Sequence, residues 1–109
     1  MNYPKPIVIV DTETTGMSPT RGRIIEIACI RIENGVEVDR FVSLVDPDMR
    51  IGLEIKAITT ITPDMLKSAP SFAQIAPRVD EIFKDAILCA HNARFDYWFI
   101  KAEMERAGY

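Results

Sequence analysis

The run Ile7-Val8-Ile9-Val10 ends on Asp11-Thr12-Glu13, which places two carboxylates at alternate positions of one short segment. Side chains alternate across a strand, so Asp11 and Glu13 share a face, and the branched apolar run before them reads as a strand buried on both faces. Neighbouring ionised carboxylates repel and are costly to desolvate. A hard divalent cation that prefers oxygen ligands, Mg²⁺ or Mn²⁺, is the partner such a pair asks for. The plainer alternative is a pair of solvated acids at a strand end. Gly16, just beyond them in Thr14-Thr15-Gly16, points to a tight turn where a ligand can approach the backbone.

A second constellation follows the apolar segment Ala86-Ile87-Leu88-Cys89-Ala90, which reads as another short buried strand. His91-Asn92-Ala93-Arg94-Phe95-Asp96 then leads into a helix, with Asn92 as N-cap and Asp96 in the first turn. There the helix dipole and free N–H groups favour an ionised carboxylate, which by itself would account for Asp96. Taken with Asp11 and Glu13, it is a third acid for the same cation chemistry.

Asp11-Thr12-Glu13-Thr14-Thr15-Gly16 and His91-Asn92-Ala93-Arg94-Phe95-Asp96 resemble the first and second motifs of the DEDD-type (DnaQ-like) 3′–5′ exonucleases. The pattern is most similar to the epsilon proofreading subunit of bacterial DNA polymerase III, with RNase T and oligoribonuclease further off. Ile58-Thr59-Thr60-Ile61-Thr62-Pro63-Asp64-Met65 and Ala69-Pro70 also resemble a family segment, so the similarity runs along essentially the whole chain.

The resemblance implies an RNase H-like fold and hydrolytic removal of the 3′-terminal nucleotide from a single strand. Four carboxylates would hold two ions about 4 Å apart, one activating water and the other stabilising the leaving oxygen. Of these ligands Asp11 would contact both ions, Glu13 the ion that carries the water, and Asp96 the second. Thr14, Gly16 and Met17 would lie against the terminal nucleotide, and Glu54, Thr59 and Asn92 are carried over as further substrate contacts. Thr59-Thr60 stands where the epsilon-like pattern tends to have His-Gly. Phe95 would lie against a base, a contact worth about 1–3 kcal/mol, unless it simply packs in the first turn of the helix.

The family's third motif, a His followed later by the fourth Asp, is absent from these 109 residues. The resemblance therefore implies the N-terminal portion of one exonuclease domain, residues 1–109, as a fragment or a natural truncation. The expected catalytic set is incomplete, with the general base outside it. His91, the only histidine, is assigned a supporting role.

The elements that must position these acids follow from pattern. Arg23 to Ile32 reads as a second strand, Asn34-Gly35 as a hairpin turn, and Val36 to Val45 as a third strand, giving an antiparallel meander. Thr62-Pro63 opens a short helix. Ser71 caps another that runs to about Lys84, with Phe72, Ile75, Val79, Ile82 and Phe83 inward. A crossover helix makes the Ala86–Ala90 strand parallel to the first, which brings Asp96 beside Asp11 and Glu13 at the carboxyl end of the sheet. Helix residues from Trp98 onward end at Gly108. The expected fold is α/β: a mixed sheet, three antiparallel strands plus one parallel, flanked by helices and lacking the last strand and helices. The Ala86–Ala90 strand is then an uncovered edge that invites self-association. Glu26, an acid among isoleucines, reads as a strand residue pointing to solvent.

With 48% hydrophobic residues the chain supports one core that buries about two-thirds of its unfolded surface. Its N-terminal apolar run is too short for a signal peptide or a membrane span, and a cytoplasmic location follows by default. Cys29 and Cys89 read as reduced packing residues, with a disulfide as the alternative. A net charge of −3 disfavours broad phosphate binding, and the implied cations would supply the missing positive charge at the scissile phosphate. Arg21, Arg23 and Arg94 could assist or could be solvated surface charges.

The expected function is a metal-dependent, proofreading-type 3′–5′ exonuclease of single-stranded DNA, with a DNA polymerase subunit as partner. An RNA exonuclease of the same fold and a silent nucleic-acid or polymerase-binding module are the rivals.

Overall fold

The computed structural model describes residues 4–49 and 60–109. Four strands, β1 (Ile7–Thr14), β2 (Ile24–Glu33), β3 (Val36–Leu44) and β4 (Ile87–Cys89), form one sheet in the order β3-β2-β1-β4. β1 pairs antiparallel with β2 and parallel with β4, which completes the mixed sheet expected from the sequence. Asn34 and Gly35, at φ 52° and 78°, make the tight turn between β2 and β3, a conformation that Asn-Gly adopts with little strain.

The helices start where their caps lie. In α1 (Pro63–Lys67) the Thr62 hydroxyl accepts from the Met65 N–H, and in α2 (Phe72–Phe83) the Ser71 hydroxyl accepts from the Gln74 N–H. The third helix, α3 (Ala93–Arg106), ends as Gly108 takes up φ 94° and the Tyr109 N–H bonds back to Met104 O.

α2 and α3 both pack on the sheet face that carries Val8, Val10, Ile27 and Cys29. The core there is completed by Phe72, Ile75, Ala76, Val79 and Ile82 of α2 and by Phe99 and Ile100 of α3. Phe83, expected inward, is partly buried against the same cluster.

Two expectations of burial are corrected. β1 alternates strictly: Val8, Val10 and Thr12 are buried, while Ile7 and Ile9 remain 39% and 43% exposed on the opposite face. A run of Ile and Val looks the same whether one face or both are covered, and here α2 and α3 lie against one. β4 is an edge strand of 3 residues with Ile87 and Cys89 exposed, shorter and less buried than expected from Ala86–Ala90. Cys29 is buried and Cys89 exposed, and both are free thiols, so only Cys29 is a packing residue. Among the described residues no helix is long and apolar enough to cross a membrane.

Ile82 is wholly buried between α2 and the sheet. Ile82→Ala should lower the unfolding free energy by about 2–5 kcal/mol and Ile82→Val by about 0.5–1.5 kcal/mol, measured by urea denaturation. Equal effects would mean that this contact is loose.

Candidate active site

β1 delivers its acids by simple alternation. Asp11 lies opposite Ala28 of β2 on the open face, and Glu13 lies opposite Glu26, just before the register shift that releases the strand at Thr14. Glu26 is half-buried and directly across from Glu13, so the expectation that it points freely to solvent is corrected: the sheet register makes it a neighbour of the site.

Between the two acids, Thr12 turns inward, and its hydroxyl donates to Asp96 Oδ1 at 2.5 Å. Asp96 is buried in the first turn of α3, so this bond joins the helix to the strand end across 84 positions of sequence. The parallel placement of β4 makes it possible, because the chain leaves β4 at the same end of the sheet as it leaves β1.

Glu13 records the crowding. Burial, and then the charges of Asp11, Glu26 and Asp96, push its carboxyl above the usual range. None of these four acids is held in an ion pair among the described residues. Acids from three elements, with no compensating cation among the described residues, are the donor type that suits a hard divalent ion. As they stand, no group of three His, Cys, Asp or Glu side chains among the described residues is assembled to hold one. Asp96 is engaged with Thr12 on the helix side, while Asp11 and Glu13 belong to the other face.

The loop after β1 is tightly tied. The Thr14 hydroxyl donates to Gly16 O at 2.7 Å, the Thr15 hydroxyl accepts from the Arg23 N–H at 2.8 Å, and the Gly22 N–H donates to Ser18 O. The chain bends at Gly16, which has open space around it and is not among the positive-φ residues, so the bend does not need a glycine's conformational freedom. Gly22 is the constrained one. A Cβ there would meet Ser18 O at 2.9 Å and the Phe99 ring at 3.0 Å, so the loop lies directly on α3.

Of the other candidates, Met17 is 82% exposed at the loop tip, and Phe95 is half-buried with its ring 4.7 Å from that of Phe99. Phe95 packs on Phe99, as its packing reading expects, and also lines an open cavity of about 250 Å³ with Met17 and Asn92. Asn92 occupies the N-cap position at φ −123° and ψ 71°, and its side chain makes no capping bond; that expectation is corrected, the backbone there being unsuited to the usual cap geometry. His91, Arg21 and Arg94 are exposed. Glu54 and Thr59 lie outside the described residues.

Arg23 is not available to a substrate, because Glu103 of α3 holds it at 2.8 Å. Glu103 is buried, accepts also from the Ile24 N–H and from Arg106, and so clasps the far end of α3 to the start of β2. Thr12 and this clasp were not singled out from sequence. Thr12 had one signal, a hydroxyl at the inward position between two acids; the clasp had only a helical spacing that puts residue 103 on the same side as Asp96.

A mixed sheet with antiparallel strands, a parallel edge strand and helices packed on it is the RNase H-like arrangement, and solved structures agree. Exonuclease I of E. coli in complex with a dA16 oligonucleotide superposes with a TM-score of 0.85 over 97% of this chain and 25% of that one, at 24% identity. Its zinc-ion-bound form with single-stranded DNA gives a TM-score of 0.86. The chain belongs to the exonuclease family, whose model (RNase T) matches residues 8–109. It is 39% identical over 101 residues to a PolC-type DNA polymerase III of Halalkalibacterium halodurans and 40% identical over 102 residues to one of Staphylococcus aureus. The matches cover 93% and 94% of this chain but 7% of those relatives' length.

Thr12→Val keeps a branched side chain in the strand and removes the donor to Asp96. It should cost about 1–3 kcal/mol of stability by chemical denaturation, the penalty of a buried charged acceptor losing its partner. A neutral result would show that Asp96 is satisfied without Thr12.

Because the folded-state pKa of Glu13 is raised, the folded protein binds its proton more tightly than the unfolded chain does. Its ionisation therefore weakens the fold as pH rises through and above the usual carboxylate value of 4.5. In chelator-treated protein, Glu13→Gln should raise the melting temperature at pH 7, and the gain should fade as pH drops below that range. A gain that persists under acid would refute charge crowding as its cause.

Proposed function

We propose that this chain is an exonuclease module that removes nucleotides from the 3′ end of single-stranded DNA with the help of divalent metal ions, in the proofreading, epsilon-like manner. One observation carries the reading: carboxylates on β1 and in the first turn of α3 lie near enough to one strand end that, besides burial, the charges of Asp11 and Asp96 raise the pKa of Glu13, with no cation paired to them among the described residues. Asp11, Glu13 and Asp96 would hold the metal, Mg²⁺ or Mn²⁺, as two ions by the family resemblance. When bound, such ions supply activation of water and stabilisation of the departing oxygen.

The chain's own groups bind and orient. Thr12 fixes Asp96, and the tied loop presents Thr14, Gly16 and Met17 to the terminal nucleotide. Phe95 and Asn92 stand across the cavity from Met17. The third-motif base and the fourth carboxylate would be supplied from outside these residues. A PolC-type polymerase as relative supports a DNA polymerase context, and the oligonucleotide complexes of exonuclease I support DNA over RNA.

The test is release of nucleotide from 3′-labelled single-stranded DNA with Mg²⁺ or Mn²⁺, run beside a matched RNA. Metal-dependent release should fall about 10²-fold or more in Asp11→Ala, the scale on which one transition-state charge stabiliser acts. Equal turnover of RNA would replace the DNA reading. Binding without hydrolysis, unchanged by Asp11→Ala with Glu13→Ala, would make the chain a binding module instead.

A further inference from the structure

The cavity lined by Met17, Asn92 and Phe95 has a wall that the roles proposed so far leave unused. It lies between the loop that leaves β1 and the outer side of α3, and Trp98 lines it together with Met17, Pro19 and Phe95. Trp98 is one helical turn beyond Phe95, so the two rings are neighbours on the helix surface. Phe95 is braced from below by the buried Phe99, whereas Trp98 is 47% exposed. A half-exposed indole is a large apolar surface kept in contact with water.

Trp98 also lines a second cavity of about 380 Å³ with Thr20, Lys101, Glu105 and Arg106, in which Lys101 is paired with Glu105 and Arg106 with Glu103. The first cavity also carries Arg94, which is exposed and makes no ion pair among the described residues, so a wall of aromatics and methionine and an open cation lie together beside Trp98. Lys101 lies 5.7 Å from the centre of the indole ring, and Tyr97 meets the ring edge-on, so the ring is held from two sides.

A single strand has two surfaces to satisfy, flat apolar bases and anionic phosphates. Stacking on an aromatic plane accepts any base, and positive charge accepts the backbone. The first cavity offers both, an apolar wall for a base and Arg94 for a phosphate. We propose that Trp98 is a positioning residue for the substrate strand, stacking a base within the two nucleotides nearest the 3′ end. This rests on the exonuclease reading of the neighbouring acids, and it assigns to Trp98 a contact separate from Met17 and Phe95.

Trp98 is the chain's only tryptophan, so its fluorescence reports this position alone. The experiment is stopped-flow mixing of the protein with a short oligo-dA in Mg²⁺, read before turnover, beside the same oligonucleotide with abasic sites at its last two positions. The intact strand should quench Trp98 emission saturably, and the abasic strand should not. Trp98→Ala, which should melt as the parent does, should weaken binding of the intact strand about tenfold, with Trp98→Phe retaining most of the affinity. Its effect on the abasic strand should be small.

Unchanged emission on binding, or an equal loss of affinity for both strands in Trp98→Ala, would overturn the proposal. Base-dependent quenching without any hydrolysis would support the stacking and count against hydrolysis by these residues alone. Hydrolysis with silent Trp98 emission would do the reverse.

Discussion

The bond from Thr12 to Asp96 is the constraint on which the arrangement rests. Without it, the first turn of α3 would have a buried carboxylate facing the strand and nothing to fix its approach. At the other end of the same helix, Glu103 is bound to the Ile24 N–H, Arg23 and Arg106. Residues 96, 99, 100 and 103 are the buried stripe of α3, and its two outer members are acids. The helix is thus apolar in the middle of its contact and pinned by a hydrogen-bonded carboxylate at each end. Apolar packing is non-directional, whereas hydrogen bonds from fixed donors set rotation and height along the strand.

The two faces of the sheet divide the labour. The covered face contributes the apolar burial that holds the domain together, through Val8, Val10 and the strands and helices around them. The open face carries Asp11 and Glu13, whose mutual repulsion works against folding. Such a cost is tolerable only when paid elsewhere in the core, the usual relation between a strained site and its scaffold. The loop from Thr15 to Arg23 is anchored at both ends of its own path, with Met17 exposed at its tip.

Local chemistry was legible wherever one residue type has one structural use. Asn34-Gly35 fixed a tight turn, Thr62 and Ser71 opened helices through their hydroxyls, Gly108 closed one, and the crossover between β1 and β4 forced the parallel pairing that brings Asp96 to Thr12. Burial was less legible, because composition does not say how many faces of a strand are covered; Ile7 and Ile9 are indistinguishable from Val8 and Val10 until the helices are placed. Long-range polar pairs were hidden for the same reason. Arg23 looks like a free cation in sequence, and Glu103 looks like a surface acid, until a distance of 80 positions closes between them. Asn92 shows the converse: a good capping residue at the right position fails to cap because its backbone has a different conformation.

The strict alternation along β1 also governs which lengths of chain the fold tolerates. Deleting or inserting a single residue between Val10 and Glu13 would exchange the inward and outward positions, turning an acid toward the helix and Thr12 toward the open face. The hairpin tip at Asn34-Gly35 has no such parity to keep, since its side chains face solvent and lie far from the acids in the ladder. Natural variation in length should therefore gather at the tip and be purged from the strand. Even paired insertions in β1, which restore the faces, would move Thr12 out of reach of Asp96 by a full pleat.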